Sequence, residues 1–357
     1  MTLGLVGVGL IGGSIGLAAR ARADAEVRGY DPSARALECA LERGAVDRPC
    51  DSLAEAVDGA ELVVVAAPVG VLPELVGEVL AVAGADCVVT DVGSTKRAIV
   101  AAHGSDQRFV GGHPLAGAET SGVEHARPDL FDGATWYLTP AEHSSGMLYE
   151  RLHRLIVALG ARPAAIEPEA HDRLMATVSH LPHVLANVLV GQAARGLEAE
   201  GERLPATGPS FRDATRVAGA SSAIWTDIYV SNREALARQI DETVRRLQAV
   251  RASLAAADAP ALAAWNDSAR EDRERLLEVE LAGGPVHELR VAVPNRPGVV
   301  AEIALALGRA GVNIVDMALY PAPDASEGSV ALWLAGEQQA DRAAALIGEL
   351  GLPVVRL

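Results

Sequence analysis

Gly7-Val8-Gly9-Leu10-Ile11-Gly12 forms a G-x-G-x-x-G directly after an apolar run, Leu3–Val8, and directly before a helical stretch, Ile11–Arg22. Gly7 permits a tight turn, Gly9 lets a pyrophosphate approach the backbone, and Gly12 lets helix and strand pack closely. Leu10 and Ile11 carry the turn into the helix, whose first N–H groups point at the phosphates. The second apolar run ends in Tyr30-Asp31-Pro32, nineteen residues after Gly12. A carboxylate there accepts from ribose hydroxyls and repels a 2′-phosphate, so NAD is expected in preference to NADP. Ala66-Ala67-Pro68-Val69 ends a further strand, and small residues there, Ala67 and Pro68 among them, let a nicotinamide lie against the backbone.

The same spacing continues to about Glu167. Apolar runs at Ala25–Gly29, Leu62–Ala66, Cys87–Asp91 and Arg108–Gly111 alternate with helical stretches such as Ser33–Arg43. Buried parallel strands read this way, and the alternation predicts a doubly wound, Rossmann-type α/β sheet over residues 1–167. With 357 residues, of which half are hydrophobic, the chain has material for two or three such cores. Aromatic residues make up only 3 %, so Ala, Val and Leu must fill them.

Net charge is −16 and the pI near 5.0, a balance that argues against nucleic acid or an anionic membrane as partner. Cys39, Cys50 and Cys87 are odd in number and far apart, which fits a reducing cytoplasm rather than a disulfide framework. The apolar stretch Leu3–Ala19 has no basic residue before it and is broken by glycines, so it does not read as a signal peptide. No uninterrupted apolar run reaches the length of a membrane span.

From Pro168 the strand signal vanishes, and residues 168–281 read as an all-α domain. His171–Ala194 is helical in composition, with Pro182 as a kink or restart. Ser231 and Glu234 have the spacing of a capping box, and Asp258 before Pro260 that of a helix cap. Leu236, Ile240, Val244, Leu247 and Leu254 mark one face of a long helix, which fits a core or the interface of a homodimer. A linker at Ala282-Gly283-Gly284-Pro285 precedes residues 286–357. There a strand at Leu289–Val293, helix Val299–Ala310 ending at Gly311, strands near Val312–Leu319 and Ser329–Leu334, a turn at Asp324–Gly328, a helix near Ala340–Leu350 and a strand at Pro353–Leu357 give the order βαββαβ, a ferredoxin-like unit.

Chemistry-bearing residues gather where strands of the first region end. Asp91-Val92-Gly93-Ser94-Thr95-Lys96 contains the only lysine of the chain; a helix cap at Ser94 followed by a surface lysine explains it as well as catalysis does. Gly112-His113-Pro114 places an imidazole at the next strand end, where it can take the proton of an alcohol whose carbon loses hydride. His180 and His183 lie three apart on one helical face; no carboxylate or cysteine supports a metal there, and an acidic ligand is the preferred reading. Arg212-Asp213-Ala214-Thr215-Arg216 offers an arginine to clamp a carboxylate, and Trp225 a wall for the pocket.

These pieces together resemble the prephenate/arogenate dehydrogenase family: G-L-I-G-G-S at Gly9–Ser14, D-V-G-S-T-K at Asp91–Lys96, G-G-H-P-L-A-G at Gly111–Gly117, S-H-L-P-H at Ser179–His183 and F-R-D-A-T-R at Phe211–Arg216. The tail resembles an ACT domain through Pro294-Asn295-Arg296-Pro297-Gly298 and Gly311-Val312-Asn313-Ile314. The resemblance implies NAD-dependent oxidative decarboxylation of prephenate to 4-hydroxyphenylpyruvate, with arogenate as the alternative substrate. It implies that His113 takes the hydroxyl proton, that Ser94 supports His113 and the nicotinamide, and that Arg216 holds the ring carboxylate. His183, with His180, would line the pyruvyl end, while Glu119 sits near the substrate side chain, with Ala118 where some relatives have threonine. Tyrosine or another aromatic amino acid is expected at Asn295, Arg296, Pro297, Gly298 and Val299 together with Asn313 and Ile314. A non-catalytic sensor of NAD and an amino acid is the reading from a different class.

Overall fold

The computed structural model describes residues 1–117, 120–199, 207–280, 286–321 and 327–356. Ala118, Glu119, the linker residues Ala282–Pro285 and most of the turn expected at Asp324–Gly328 lie outside them. The described chain divides into two compact units. One holds residues 1–172, 219–231 and 286–357, the other residues 173–218 and 232–285.

The first unit is built on eight strands: β1 (Thr2–Val6), β2 (Glu26–Tyr30), β3 (Arg48–Pro49), β4 (Leu62–Val65), β5 (Val88–Asp91), β6 (Phe109–Pro114), β7 (Thr135–Thr139) and β8 (Arg162–Ala165). Their order in the sheet is β3-β2-β1-β4-β5-β6-β7-β8. The first six are parallel, as the expected doubly wound sheet requires. β4 and β1 are neighbours although the chain reaches β2 and β3 between them, so the winding reverses there and opens a crevice at their carboxyl ends. β3, β7 and β8 were not expected from sequence. β3 has two residues and β8 contains Pro163, so neither has a periodicity to read. β7 runs antiparallel to β6, and Gly112 to Pro114 belong to that pairing. His113 therefore stands within a strand, opposite Tyr137, rather than on a loop after it.

The same unit contains a four-stranded antiparallel sheet from β9 (Val286–Pro294), β10 (Ile314–Pro321), β11 (Glu327–Ala335) and β12 (Val354–Arg356), in the order β10-β11-β9-β12. Helices Val299–Arg309 and Glu337–Glu349 complete the βαββαβ unit. It packs on the large sheet through positions where a side chain would not fit. A Cβ on Gly308 would overlap the Ala165 carbonyl oxygen, and one on Gly298, whose φ is +83°, would overlap that of Glu142. The Gly298 N–H donates to Ser144 O at 3.2 Å, and Arg309 pairs with Glu167.

Several local expectations need correction. Ser231 does not open a capping box: it ends helix Ser222–Ser231, donates to Ile228 O at 3.0 Å and accepts from the Thr95 hydroxyl at 3.1 Å. The next helix, Arg233–Ala255, starts from Asn232 without a side-chain cap. Asp258 does cap its helix, its Oδ1 accepting from Ala261 N at 3.1 Å. Before Pro182 the helix widens into a π turn over Ala176–His180, which accommodates a residue lacking an N–H, and then continues as Leu181–Ala199.

In the second unit the Leu236 stripe is buried only at its start. Leu236 is 5 % exposed, whereas Val244, Leu247 and Leu254 are 47, 60 and 61 % exposed, so the stripe is not core within one chain. Among the described residues one helical stretch, Pro168–Gly196, is long and apolar enough to cross a membrane. It carries Asp172, Arg173, and the buried His171, His180 and His183, which no uninterrupted apolar run would contain.

Helix Gly146–Ala158 lies between the large sheet and β10, and it buries His153 at 1 % exposure. Burial lowers the His153 pKa to about 4; the backbone of Ile314 opposes this and Arg154 adds to it. Below its ordinary value of 6.5, the unfolded chain binds a proton that the folded chain refuses until about pH 4. Stability therefore falls with pH through that window, by about 3 kcal/mol from this group. Urea titrations at pH 7 and pH 4.5 should show His153→Gln losing less stability than wild type over the same interval.

Candidate active site

The glycine turn is shaped for a ligand. Gly7 has φ +95°, and a Cβ there would overlap the Ala66 carbonyl oxygen; one on Gly12 would overlap that of Gly7. Gly9 differs, because a Cβ on it would meet nothing within 4 Å. Its openness lies at the start of helix Leu10–Arg22, which has no side-chain cap and no acidic residue in its first turn. Uncapped N–H groups beside an open backbone make a cradle for a pyrophosphate. Asp31 ends β2 with Oδ2 accepting from Val8 N at 3.0 Å and Oδ1 from Ser33 N at 2.9 Å. Each oxygen retains acceptor capacity for a ribose hydroxyl. Ala67 and Pro68 follow β4 on the other side of the crevice. The residues present thus fit a dinucleotide.

The next two strand ends are locked together by buried charge. Lys96 is not a surface residue: its side chain is 0 % exposed, pairs with Asp91 and donates to Gly112 O at 2.7 Å. Burial holds its ammonium below the usual lysine value, with Asp91 opposing. Asp91 also accepts from Gly93 N at 2.7 Å and from Gly112 N at 3.2 Å. Ser94 is not a helix cap either, because helix Arg97–His103 begins after Lys96; Ser94 sits half-buried in the loop between β5 and that helix.

His113 is 9 % exposed, and its Nδ1 lies 2.9 Å from Nε2 of His171. The His171 Nδ1 in turn lies 2.8 Å from Asp172 Oδ1. Asp172 Oδ1 accepts from Lys96 N at 2.7 Å and Oδ2 from Arg97 N at 3.0 Å. Burial pushes the Asp172 carboxyl up, but His171 and the two backbone donors outweigh it and hold it below the ordinary value. Burial likewise keeps the His171 imidazole below its usual value against the pull of Asp172. The Tyr137 ring stands edge-on to His171 at 5.7 Å. Sequence reasoning missed His171 and Asp172. Their signal was a His-Asp pair in the first turn of a helix opened by Pro168, directly after β8.

Trp225, also in this unit, is half-buried and stacks at a tilt on Tyr229, with centroids 5.6 Å apart. In the second unit His180 faces Asn232, with Nδ1 3.1 Å from its amide nitrogen, and His183 faces Asn187 at 3.2 Å. Burial lowers the His183 pKa while the backbone of Val217 opposes it, so His183 stands beside the turn that begins at Arg216. Arg216 and Asp213 are exposed, and Arg212 donates to Thr207 O at 2.8 Å within its own turn. Among the described residues no three His, Cys, Asp or Glu side chains gather as a metal site.

Residues 15–164 match the family model described as prephenate dehydrogenase, nucleotide-binding domain. Residues 167–267 match its dimerization domain, and residues 287–346 the ACT domain. Prephenate dehydrogenase of Bacillus subtilis (strain 168) is 35 % identical over 328 residues, 88 % of this chain and 87 % of that protein. The chain belongs to the prephenate dehydrogenase family. The crystal structure of prephenate dehydrogenase from A. aeolicus in complex with hydroxyphenyl propionate and NAD+ matches with a TM-score of 0.73 at 28 % identity, over 77 % of this chain and 98 % of that one. Arogenate dehydrogenase from Synechocystis matches with a TM-score of 0.67 at 25 % identity, over 77 % of this chain and all of that one.

The buried Asp91–Lys96 pair can be tested directly. Lys96→Met leaves the Asp91 carboxylate buried without its cation, and should cost about 3–5 kcal/mol in urea unfolding. Adding Asp91→Asn should return part of that loss, a coupling absent if the two side chains act independently.

Proposed function

We propose that the chain is an NAD-dependent prephenate dehydrogenase that makes 4-hydroxyphenylpyruvate and CO2. The observation that carries this is His113, buried at the crevice edge with one nitrogen held by His171, in a chain of this family. A sensor that only bound NAD and an amino acid would have no use for a proton acceptor there. Residues 1–167 bind the dinucleotide on Gly7, Gly9, Leu10, Ile11, Gly12, Asp31, Ala67 and Pro68, and Asp31 selects NAD over NADP. NAD+, when bound, supplies the hydride acceptor.

His113 takes the C4 hydroxyl proton at Nε2, since Nδ1 is engaged by His171. Ser94 supports His113 and the nicotinamide. Arg216 holds the ring carboxylate, with Arg212 and Asp213 in the adjoining turn, and His180 and His183 line the pyruvyl end. Trp225 walls the pocket, and Glu119, which lies outside the described residues, is the acidic residue that the family resemblance assigns to the substrate side chain. Loss of CO2 creates an aromatic ring, so the protein needs mainly to orient the substrate and polarise one hydroxyl. Arg216 must grip the carboxylate without stabilising it so far that its departure slows.

Residues 168–281 also form the interface of a homodimer. Val244, Leu247 and Leu254, with the exposed Val188 and Leu189, give an apolar face that a second copy covers. An aromatic amino acid, tyrosine first, binds residues 286–357 at the exposed Asn295, Arg296, Pro297 and Asn313, next to the buried Gly298, Val299 and Ile314, and inhibits. Three free cysteines and a biosynthetic activity suit the cytoplasm.

NADH absorbance with prephenate or arogenate, and with NAD+ or NADP+, tests this reading. Prephenate with NAD+ should turn over fastest, and His113→Asn should lower kcat by about 10²–10⁴-fold. Arg216→Ala should raise the KM for prephenate while leaving that for NAD+ in place. Absence of NADH with both substrates would sink the proposal.

A further inference from the structure

We infer that His171 and Asp172 are positioning residues which fix the hydrogen of His113 on Nδ1, so that Nε2 presents its lone pair to the substrate. The inference rests on the reading of His113 as proton acceptor and goes one step behind it. It starts from Asp172, which is 4 % exposed and accepts two backbone N–H groups, those of Lys96 and Arg97. A carboxylate so placed is ionised and can only accept. The His171 Nδ1, 2.8 Å away, must therefore carry a hydrogen. The opposite arrangement would set two acceptors against each other without water to separate them.

With its hydrogen on Nδ1, a neutral His171 has an acceptor at Nε2. Burial at 0 % exposure disfavours a second proton on that ring. The only hydrogen that can fill the 2.9 Å gap to His113 is then the one on His113 Nδ1. His113 Nε2 is thereby left as the proton acceptor. The order of the chain, carboxylate to imidazole to imidazole, does for His113 what an aspartate does for the histidine of a Ser-His-Asp triad, with one more ring between them.

The proton count closes. As the substrate O–H bond breaks, its proton goes to His113 Nε2, and the electron pair stays on the oxygen that becomes the carbonyl. His113 then carries hydrogens on both nitrogens and still donates from Nδ1 to His171. No proton needs to reach Asp172; its charge stabilises the imidazolium through the intervening ring. As the C–CO2 bond breaks, its electron pair completes the aromatic ring and the oxygen takes the proton back from Nε2 as the phenol hydroxyl. The other charged groups facing this cluster, Lys96 and Asp91, neutralise one another, and Tyr137 adds an apolar ring edge. Arg97 contributes its backbone N–H.

Two measurements on the full-length chain with saturating NAD+ test the inference. Nitrogen-15 NMR of histidine-labelled protein should place the His113 hydrogen on Nδ1, and His171→Leu should release that preference. Finding the hydrogen on Nε2 in the wild type overturns the proposal, whichever substrate the enzyme prefers. In turnover, His171→Leu should lower kcat by roughly 10²-fold with KM for prephenate within about twofold. His171→Gln, whose amide oxygen can accept from His113, should recover at least about tenfold of that loss. Asp172→Asn should move the acid limb of the kcat profile to lower pH, because the imidazolium loses its carboxylate. Equal losses in the Leu and Gln variants, or an unmoved acid limb, would reduce the dyad to packing.

Discussion

Lys96 carries an ammonium into a place with no solvent, and the structure answers with Asp91 on one side and the Gly112 carbonyl on the other. Burying two charges is expensive, and an apolar pair of the same volume would often hold a fold as well. What the pair adds is register. Asp91 ends β5, Gly112 precedes His113 on β6, and the N–H of Lys96 reaches Asp172 in the first turn of the helix after β8. Three elements separated by tens of residues in sequence thus meet at one ion pair. Loosening it would displace Ser94, His113 and His171 together, because each is one or two residues from an atom the pair or its backbone touches.

The C-terminal sheet shows a different route to fixed geometry, one that uses absence of side chains. Gly298 and Gly308 lie against carbonyl oxygens of Glu142 and Ala165, so the approach is closer than any Cβ permits. Such contacts give little energy singly, but they admit only one docking. They also have consequences along the chain. Ala165 ends β8, Glu167 pairs with Arg309, and the Glu167 carbonyl accepts from His171 N at 2.8 Å. The βαββαβ unit is therefore linked through Glu167 to the helix turn that carries His171. A ligand that shifted helix Val299–Arg309 would pull on that turn without touching the crevice, the kind of two-state coupling that regulation requires.

Where the sequence was legible, local rules and tertiary needs agreed. The glycine turn, Asp31, the first strands and the βαββαβ order each carry a periodicity or a residue type that only one conformation satisfies. β3 and β8 were illegible because two residues, or four with a proline, have no period. Ser94 and Ser231 looked like caps because local spacing cannot say which of two adjacent helices owns a residue. Lys96 reads from sequence equally as a surface or a catalytic residue, because its environment is set by Asp91, Gly112 and Asp172, none of them helical neighbours. That it is the only lysine among thirty-one basic residues was the available hint. The place of His113 near a strand end is legible because strand ends follow from the alternating pattern, whereas that of His171 beside it depends on a chain that first travels through β7 and β8.

The reaction itself explains why so much structure stands behind one imidazole. Decarboxylation that ends in an aromatic ring is strongly downhill, so a powerful base is unnecessary and would even be harmful if it took protons indiscriminately. What must be controlled is timing: the hydroxyl proton has to leave as hydride leaves, from an oxygen held in one place. A histidine free to change tautomer would spend part of its time offering a hydrogen where an acceptor is needed. Tying its far nitrogen to a buried His-Asp pair removes that freedom before the substrate arrives. The cost falls on folding, where two buried polar rings and a carboxylate must all be satisfied: the rings bond to each other and to Asp172, and the backbone N–H groups of Lys96 and Arg97 satisfy the carboxylate.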